Sequence, residues 1–110
     1  MDKKYSLKIL PKARDDFKNI LAYIRDVLKS PQAAANYRKK FSDALKRITK
    51  TPKSFQLDEF EPACRRHIVG SYKIYYREFD GKNQVVIFRV LYEGMDHPAY
   101  LPKDYSDEDE

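Results

Sequence analysis

His67 and His97 are the two histidines of the chain, and histidine is the side chain whose ordinary titration falls near neutral pH. Both are candidates for giving or taking a proton during a reaction. Each also has a plain structural reading: His67 as a strand residue, exposed or hydrogen-bonded, and His97 as a turn residue before Pro98. Around His67 the sequence interleaves cations and rings: Arg65, Arg66 and Lys73 with Tyr72, Tyr75 and Tyr76. Such a mixture can contact phosphates and stack bases, although aromatic residues are also ordinary strand formers. Tyr72 and Tyr76 are expected in a core, and Tyr75, which shares a strand face with Lys73 and Arg77, is expected to be exposed. Cys64 is the single cysteine, so no intrachain disulfide can form, and a lone thiol fits a reducing cytoplasm. Cys64, His67 and His97 follow no recognised zinc-ligand spacing. No metal and no other cofactor is expected.

The charge distribution narrows the class of partner. The chain of 110 residues has a net charge of +5, but Asp104, Asp107, Glu108, Asp109 and Glu110 fall in its last seven positions. Residues 1–103 therefore hold 22 basic against 12 acidic side chains, a net of +10. A basic body favours an anionic partner: nucleic acid, a ribosome or an acidic protein. A solubilising surface charge is the bland alternative. One domain over residues 1–103 is expected, followed by an acidic tail over 104–110, read as disordered. No apolar run approaches the roughly 20 residues that a membrane span needs. Met1–Lys4 leads straight into a strand-like segment, so no signal peptide is expected.

The elements that position these residues follow from periodicity. Tyr5, Leu7 and Ile9 alternate with polar neighbours, which predicts a strand closed by Pro11. Ala13, Phe17, Ile20, Leu21, Ile24, Val27 and Leu28 form one apolar stripe on a first helix. Ser30-Pro31 resets the chain with a cap and a first-turn proline. A second stripe follows: Ala34, Tyr37, Phe41, Ala44, Leu45 and Ile48. Its opposite face is basic, with Arg38, Lys39, Lys40, Lys46, Arg47 and Lys50. So short a break predicts an antiparallel helix hairpin. Residues 52–62 read as an ordered loop. From Arg65 the period becomes two, with Ile68, Tyr72, Ile74 and Tyr76 on one face and Gly70 a bulge or kink. Asp80–Asn83 is a hairpin turn. Gln84–Tyr92 is apolar on both faces, as in a central covered strand. The expected order is β-α-α-β-β-β, an α+β domain with the helix pair on one face of a small, largely antiparallel sheet.

Several strings in this order resemble the RelE/ParE toxin superfamily, over residues 4 to about 101. Ala13, Asp16, Ile20, Tyr23 and Ile24 fill the places of that family's first-helix pattern. Arg65-Arg66-His67-Ile68-Val69-Gly70-Ser71-Tyr72-Lys73-Ile74-Tyr75-Tyr76 resembles its "Arg…Val-Gly-x-Tyr-x-Ile-x-Tyr" segment. Val86–Asp96, which contains Arg89-Val90-Leu91-Tyr92, looks like the last strand of the ParE branch, with Tyr92 where histidine is common.

The resemblance implies the toxin of a bacterial type II toxin–antitoxin pair, neutralised by a cognate antitoxin, and with a homodimer or a toxin–antitoxin hetero-oligomer as possible assemblies. ParE-like members poison DNA gyrase by protein contact, and this branch is the closer one. Residues for target or antitoxin contact would be Arg65, Arg66, Lys73, Tyr75, Arg89, Tyr92, Met95 and Asp96; for Arg89, pairing with an internal acid is the competing reading. RelE-like members cleave mRNA on the ribosome. That alternative would use Arg66, Lys73 and Tyr100, with His67 or His97 as acid or base. Gly94 stands where the RelE pattern has an arginine six residues before the terminal tyrosine. Loss of one such cation can cost roughly 10²–10³ in rate. A third reading, a non-toxic nucleic-acid-binding module, would use the basic face of the second helix and bind in a salt-sensitive way.

Overall fold

The computed structural model describes residues 5–58 and 64–95. Strand β1 (Ser6–Ile9) leads into helix α1 (Pro11–Ala22), which opens on Pro11 as the sequence predicts. The first stripe does not continue as a regular helix. Tyr23–Val27 forms a π-helical turn, with the Leu28 N–H donating to the Tyr23 carbonyl at 3.0 Å. The wider turn rotates the stripe off the core. Val27 and Leu28 are consequently exposed, against the expectation that they pack inward. Lys29 then takes a positive φ of 57° and reverses the chain. Ser30 Oγ accepts from the Ala33 N–H at 3.2 Å, the cap expected before Pro31. Helix α2 (Pro31–Lys50) buries Ala34, Phe41, Ala44 and Ile48, and turns its lysines and arginines away.

A short 3₁₀ turn (Pro52–Ser54) and a two-residue strand β2 (Leu57–Asp58) occupy part of the segment predicted as loop. Strands β3 (Cys64–Val69), β4 (Tyr72–Phe79) and β5 (Gln84–Tyr92) complete a five-stranded sheet of order β1-β5-β4-β3-β2. The last strand is central, as its apolar run implies, paired parallel to β1 and antiparallel to β4. Gly70 is not a bulge but the first residue of the two-residue β3–β4 turn, at φ 60°. Glycine is the usual residue there, and a Cβ at this position would collide with the Tyr37 hydroxyl. The true bulge lies in β5, where Tyr75 faces Arg89 and Tyr76 faces Ile87, leaving Phe88 as the extra residue. The turn after β4 has its positive φ at Asn83, not at Gly81.

Two apolar clusters flank the sheet. On the helix side Ala13, Phe41, Ala44 and Ile48 meet Ile74, Tyr76, Val85, Ile87 and Val90. The outer side holds Leu10, Cys64, Tyr75, Val86, Phe88 and Leu91, with Met95 packed against them. The hydroxyl of fully buried Tyr76 donates to the Pro52 carbonyl at 2.6 Å, which satisfies the polar end of that ring. No helix among the described residues is long and apolar enough to cross a membrane.

Candidate functional site

Alternation along β3 and β4 sorts the basic and aromatic segment onto two faces. Arg65, His67 and Val69 point toward the helices, whereas Arg66 and Ile68 point outward with Lys73, Tyr75 and Arg77 of β4. Ile68 therefore leaves the face predicted for it and is 62% exposed. Tyr75 shares its face with Lys73 and Arg77 as expected, but it is fully buried, not exposed. The reason is its central place: β3 and β5 flank it, and the outer cluster covers its ring. A contact role for the Tyr75 ring in this conformation is excluded by that burial.

Two arginines are committed internally. Arg65 donates to both Glu78 carboxylate oxygens at 2.9 and 3.0 Å and to the Phe55 carbonyl at 2.9 Å. Burial alone pushes the Glu78 carboxyl up, but the hydrogen bonds and charge of Arg65 outweigh it and hold the group below its ordinary range. Arg89 makes a two-point pair with Asp16 of α1 at 2.7 and 2.9 Å. The same carboxylate accepts the Val90 N–H at 2.9 Å, beyond the end of the β1 pairing. Asp16 thus ties α1 to the bulged part of β5. The acid-paired reading of Arg89 is the one observed.

His67 is wedged edge-on against Phe55, ring centroids 4.3 Å apart. Burial, and then the charge of Arg47, lower its pKa, so it is neutral at pH 7. Its Nε2 has no hydrogen-bond partner among the described residues. Arg66 and Lys73 stand together on the other side of the sheet, so among the described residues His67 is separated from that pair. Tyr100, His97 and Asp96 lie outside the described residues, as does the tail 104–110.

Among the described residues, two grooves on the helix side stand out. One, about 560 Å³, runs along β1 and the helix pair; its floor is Tyr5, Leu7, Phe17, Phe41 and Leu45, and Arg38 and Lys46 stand on its rim. The other, about 760 Å³, lies where the π-helical turn approaches the ends of β4 and β5, lined by Tyr23, Tyr37, Tyr72 and Tyr92. Tyr72 packs edge-on against Tyr37 at 5.4 Å and Tyr92 at 5.9 Å. Tyr92 and Met95, three residues apart, part company: Tyr92 lines this cleft and Met95 packs on the outer cluster. Sequence reasoning missed Tyr37 as a site residue because it fits the second apolar stripe, and Tyr23 because it entered only as part of the family's first-helix pattern. Among the described residues, no group of three or more histidine, cysteine or acidic side chains is placed to hold a metal.

The fold is that of RelE-like toxins. The toxin–antitoxin complex RelBE2 of Mycobacterium tuberculosis matches with a TM-score of 0.60 and 23% identity, over 84% of this chain and 97% of that one. A free mutant of the Escherichia coli toxin RelE matches at 0.58 and 18% identity, over 87% and 90%. The archaeal RelE–RelB complex of Pyrococcus horikoshii matches at 0.52 and 17%, over 83% and 97%. No curated protein sequence matches the chain. Residues 7–97 match the family described as ParE toxin of the type II toxin–antitoxin system, parDE. The chain belongs to the ParE toxin family.

Proposed function

We propose that the protein arrests growth by binding an essential target, DNA gyrase, through its surface rather than by cutting RNA. The observation that carries this reading is the division of the basic segment across the sheet. His67 is turned to the helices, while Arg66 and Lys73 face outward. Gly94 supplies no cation at the position where the RelE pattern has one. Two outward cations bind an anionic surface, but cleavage also needs a positioned acid and base. The match of residues 7–97 to the ParE family supports the same choice.

A cognate antitoxin is the expected partner. The groove between β1 and the helix pair suits an amphipathic acidic arm: apolar anchors would enter its floor and carboxylates would meet Arg38 and Lys46. Arg65, named with Arg66 as an attractor from the sequence, has its charge matched by Glu78.

Gyrase supercoiling of plasmid DNA, with and without the antitoxin, tests the proposal. Inhibition that the antitoxin relieves is the expected result. No inhibition with protein in large excess over the enzyme would overturn it. The RelE likeness of the fold favours ribosome-dependent mRNA cleavage as the second reading, in which Arg66, Lys73, His97 and Tyr100 become the residues to replace.

A further inference from the structure

We propose that the outward ridge of α2 is a second binding site, which holds the phosphate backbone of duplex DNA through Lys39, Lys46, Arg47 and Lys50. The site lies apart from the outer face of the sheet and does not depend on which target the protein has.

Helix α2 packs Ala34, Phe41, Ala44 and Ile48 inward, so the residues half a turn away face out. Lys39, Lys46 and Lys50 follow at steps of seven and four, close to whole numbers of helical turns, so they share one line of the helix surface. At 1.5 Å per residue that line is about 16 Å long, and Arg47 flanks it. All four side chains are exposed, and Asp43 is the only acid in the helix. Lys53 pairs with Asp80, Arg65 with Glu78 and Arg89 with Asp16. Among the described residues, no acid pairs with the four ridge cations. Lys40 lies over the Tyr37 ring at 5.2 Å and Arg38 faces the groove, so neither is counted in the ridge. Lys46 borders both groove and ridge.

The composition of the ridge selects the partner. It carries no exposed ring: Phe41 is buried, and Tyr37 packs against Phe41 and Tyr72. Single-stranded nucleic acid is held largely by stacking on rings, which the ridge does not offer. An amphipathic acidic arm needs apolar anchors, and those lie in the groove, at Phe17, Phe41 and Leu45. A line of cations alone suits a regular line of phosphates, and duplex DNA presents one charge per about 1.7 Å of axis. The major groove of B-form DNA, about 12 Å wide, admits a helix about 10–12 Å across. The deep, narrow major groove of an RNA duplex does not. With phosphate contacts only, binding would be independent of base sequence.

Fluorescence anisotropy with a labelled DNA duplex of mixed sequence, about 20 base pairs long, tests the proposal in the absence of gyrase. Its outcome is therefore separate from that of the supercoiling assay. Four phosphate contacts predict that affinity falls roughly a hundredfold between about 50 and about 200 mM salt. Lys39→Gln with Arg47→Gln and Lys50→Gln should weaken binding at least about 30-fold at about 50 mM salt, and make the log–log salt slope shallower by about 2.7. The same loss of charge on α1, by Lys12→Gln with Arg14→Gln and Lys18→Gln, should change affinity by less than about threefold. Glutamine is a good helix former, so thermal melts of both variants should match that of the parent. If the triple α2 variant unfolds, Lys39→Gln and Lys50→Gln singly read the same site, each taking about 0.9 from the slope. An α2 variant that binds like the parent, or equal weakening by the α1 changes, overturns the proposal. So does binding of an RNA duplex or of single-stranded polythymidylate as tight as that of duplex DNA.

Discussion

Arg65 and Arg66 are adjacent in sequence, yet one faces the helices and the other faces away. Arg65 is matched to Glu78 by two short hydrogen bonds. Arg66 belongs to a group of outward cations with Lys73 and Arg77. Arg89 repeats the inward pattern through Asp16. The helix face uses its charges to fix packing, because a partly buried cation left unpaired costs several kcal/mol. The outer face groups Arg66, Lys73 and Arg77 on one side of the sheet, where the proposed function places target contact. Along β3, alternation decides which face each arginine meets.

The comparison breaks most readily at Asp16. Asp16→Ala removes the carboxylate that pairs with Arg89 and accepts the Val90 N–H, and should cost about 3 kcal/mol in urea unfolding. A loss under about 1 kcal/mol would mean that the inward pair is ornamental and that the two faces do not differ as described. Glu78→Gln should cost about 2 kcal/mol by the same measurement, and double replacement with Arg65→Met should recover part of that loss. Gly70→Ala should destabilise by about 1–2 kcal/mol, since its φ is positive and Tyr37 occupies the space a Cβ needs.

On the outer face the expected effect on stability is the smallest. Lys73→Ala, at the outward cation opposite Ile68, should change unfolding by less than about 0.5 kcal/mol while weakening inhibition of gyrase. Loss of inhibition together with loss of fold would show that this cation is structural after all. His67 offers a pH-dependent check of the inward face. Its folded pKa is lowered by burial, so the unfolded chain binds more protons as pH falls through the ordinary histidine range. Stability should decline modestly from pH 7.5 to 5.5, and His67→Leu should flatten that decline in thermal melts.

The helix hairpin, the Ser30 cap, the central apolar strand and the turn at Asp80–Asn83 were legible because each is written locally, in periodicity or in turn residues. The π-helical turn was not, since Ile24, Val27 and Leu28 keep helical spacing whether or not the helix widens. Nor was the short strand β2, whose two residues carry no periodic signal. Within the candidate site, alternation already joined Tyr75 to Lys73 and Arg77. It did not reveal that an apolar cluster covers that face too, which is why Tyr75 is buried.

By itself the sequence determined the element order, the family and the positive charge of the body, because these depend on residue types and their spacing along the chain. Tertiary structure alone decided which charges are neutralised. Asp16 reaches Arg89 and Val90 across more than seventy residues of chain, and Glu78 meets Arg65 only through the β3–β4 register. Whether an arginine is a strut or a contact depends on a partner brought from elsewhere in the fold, and no local pattern contains that information.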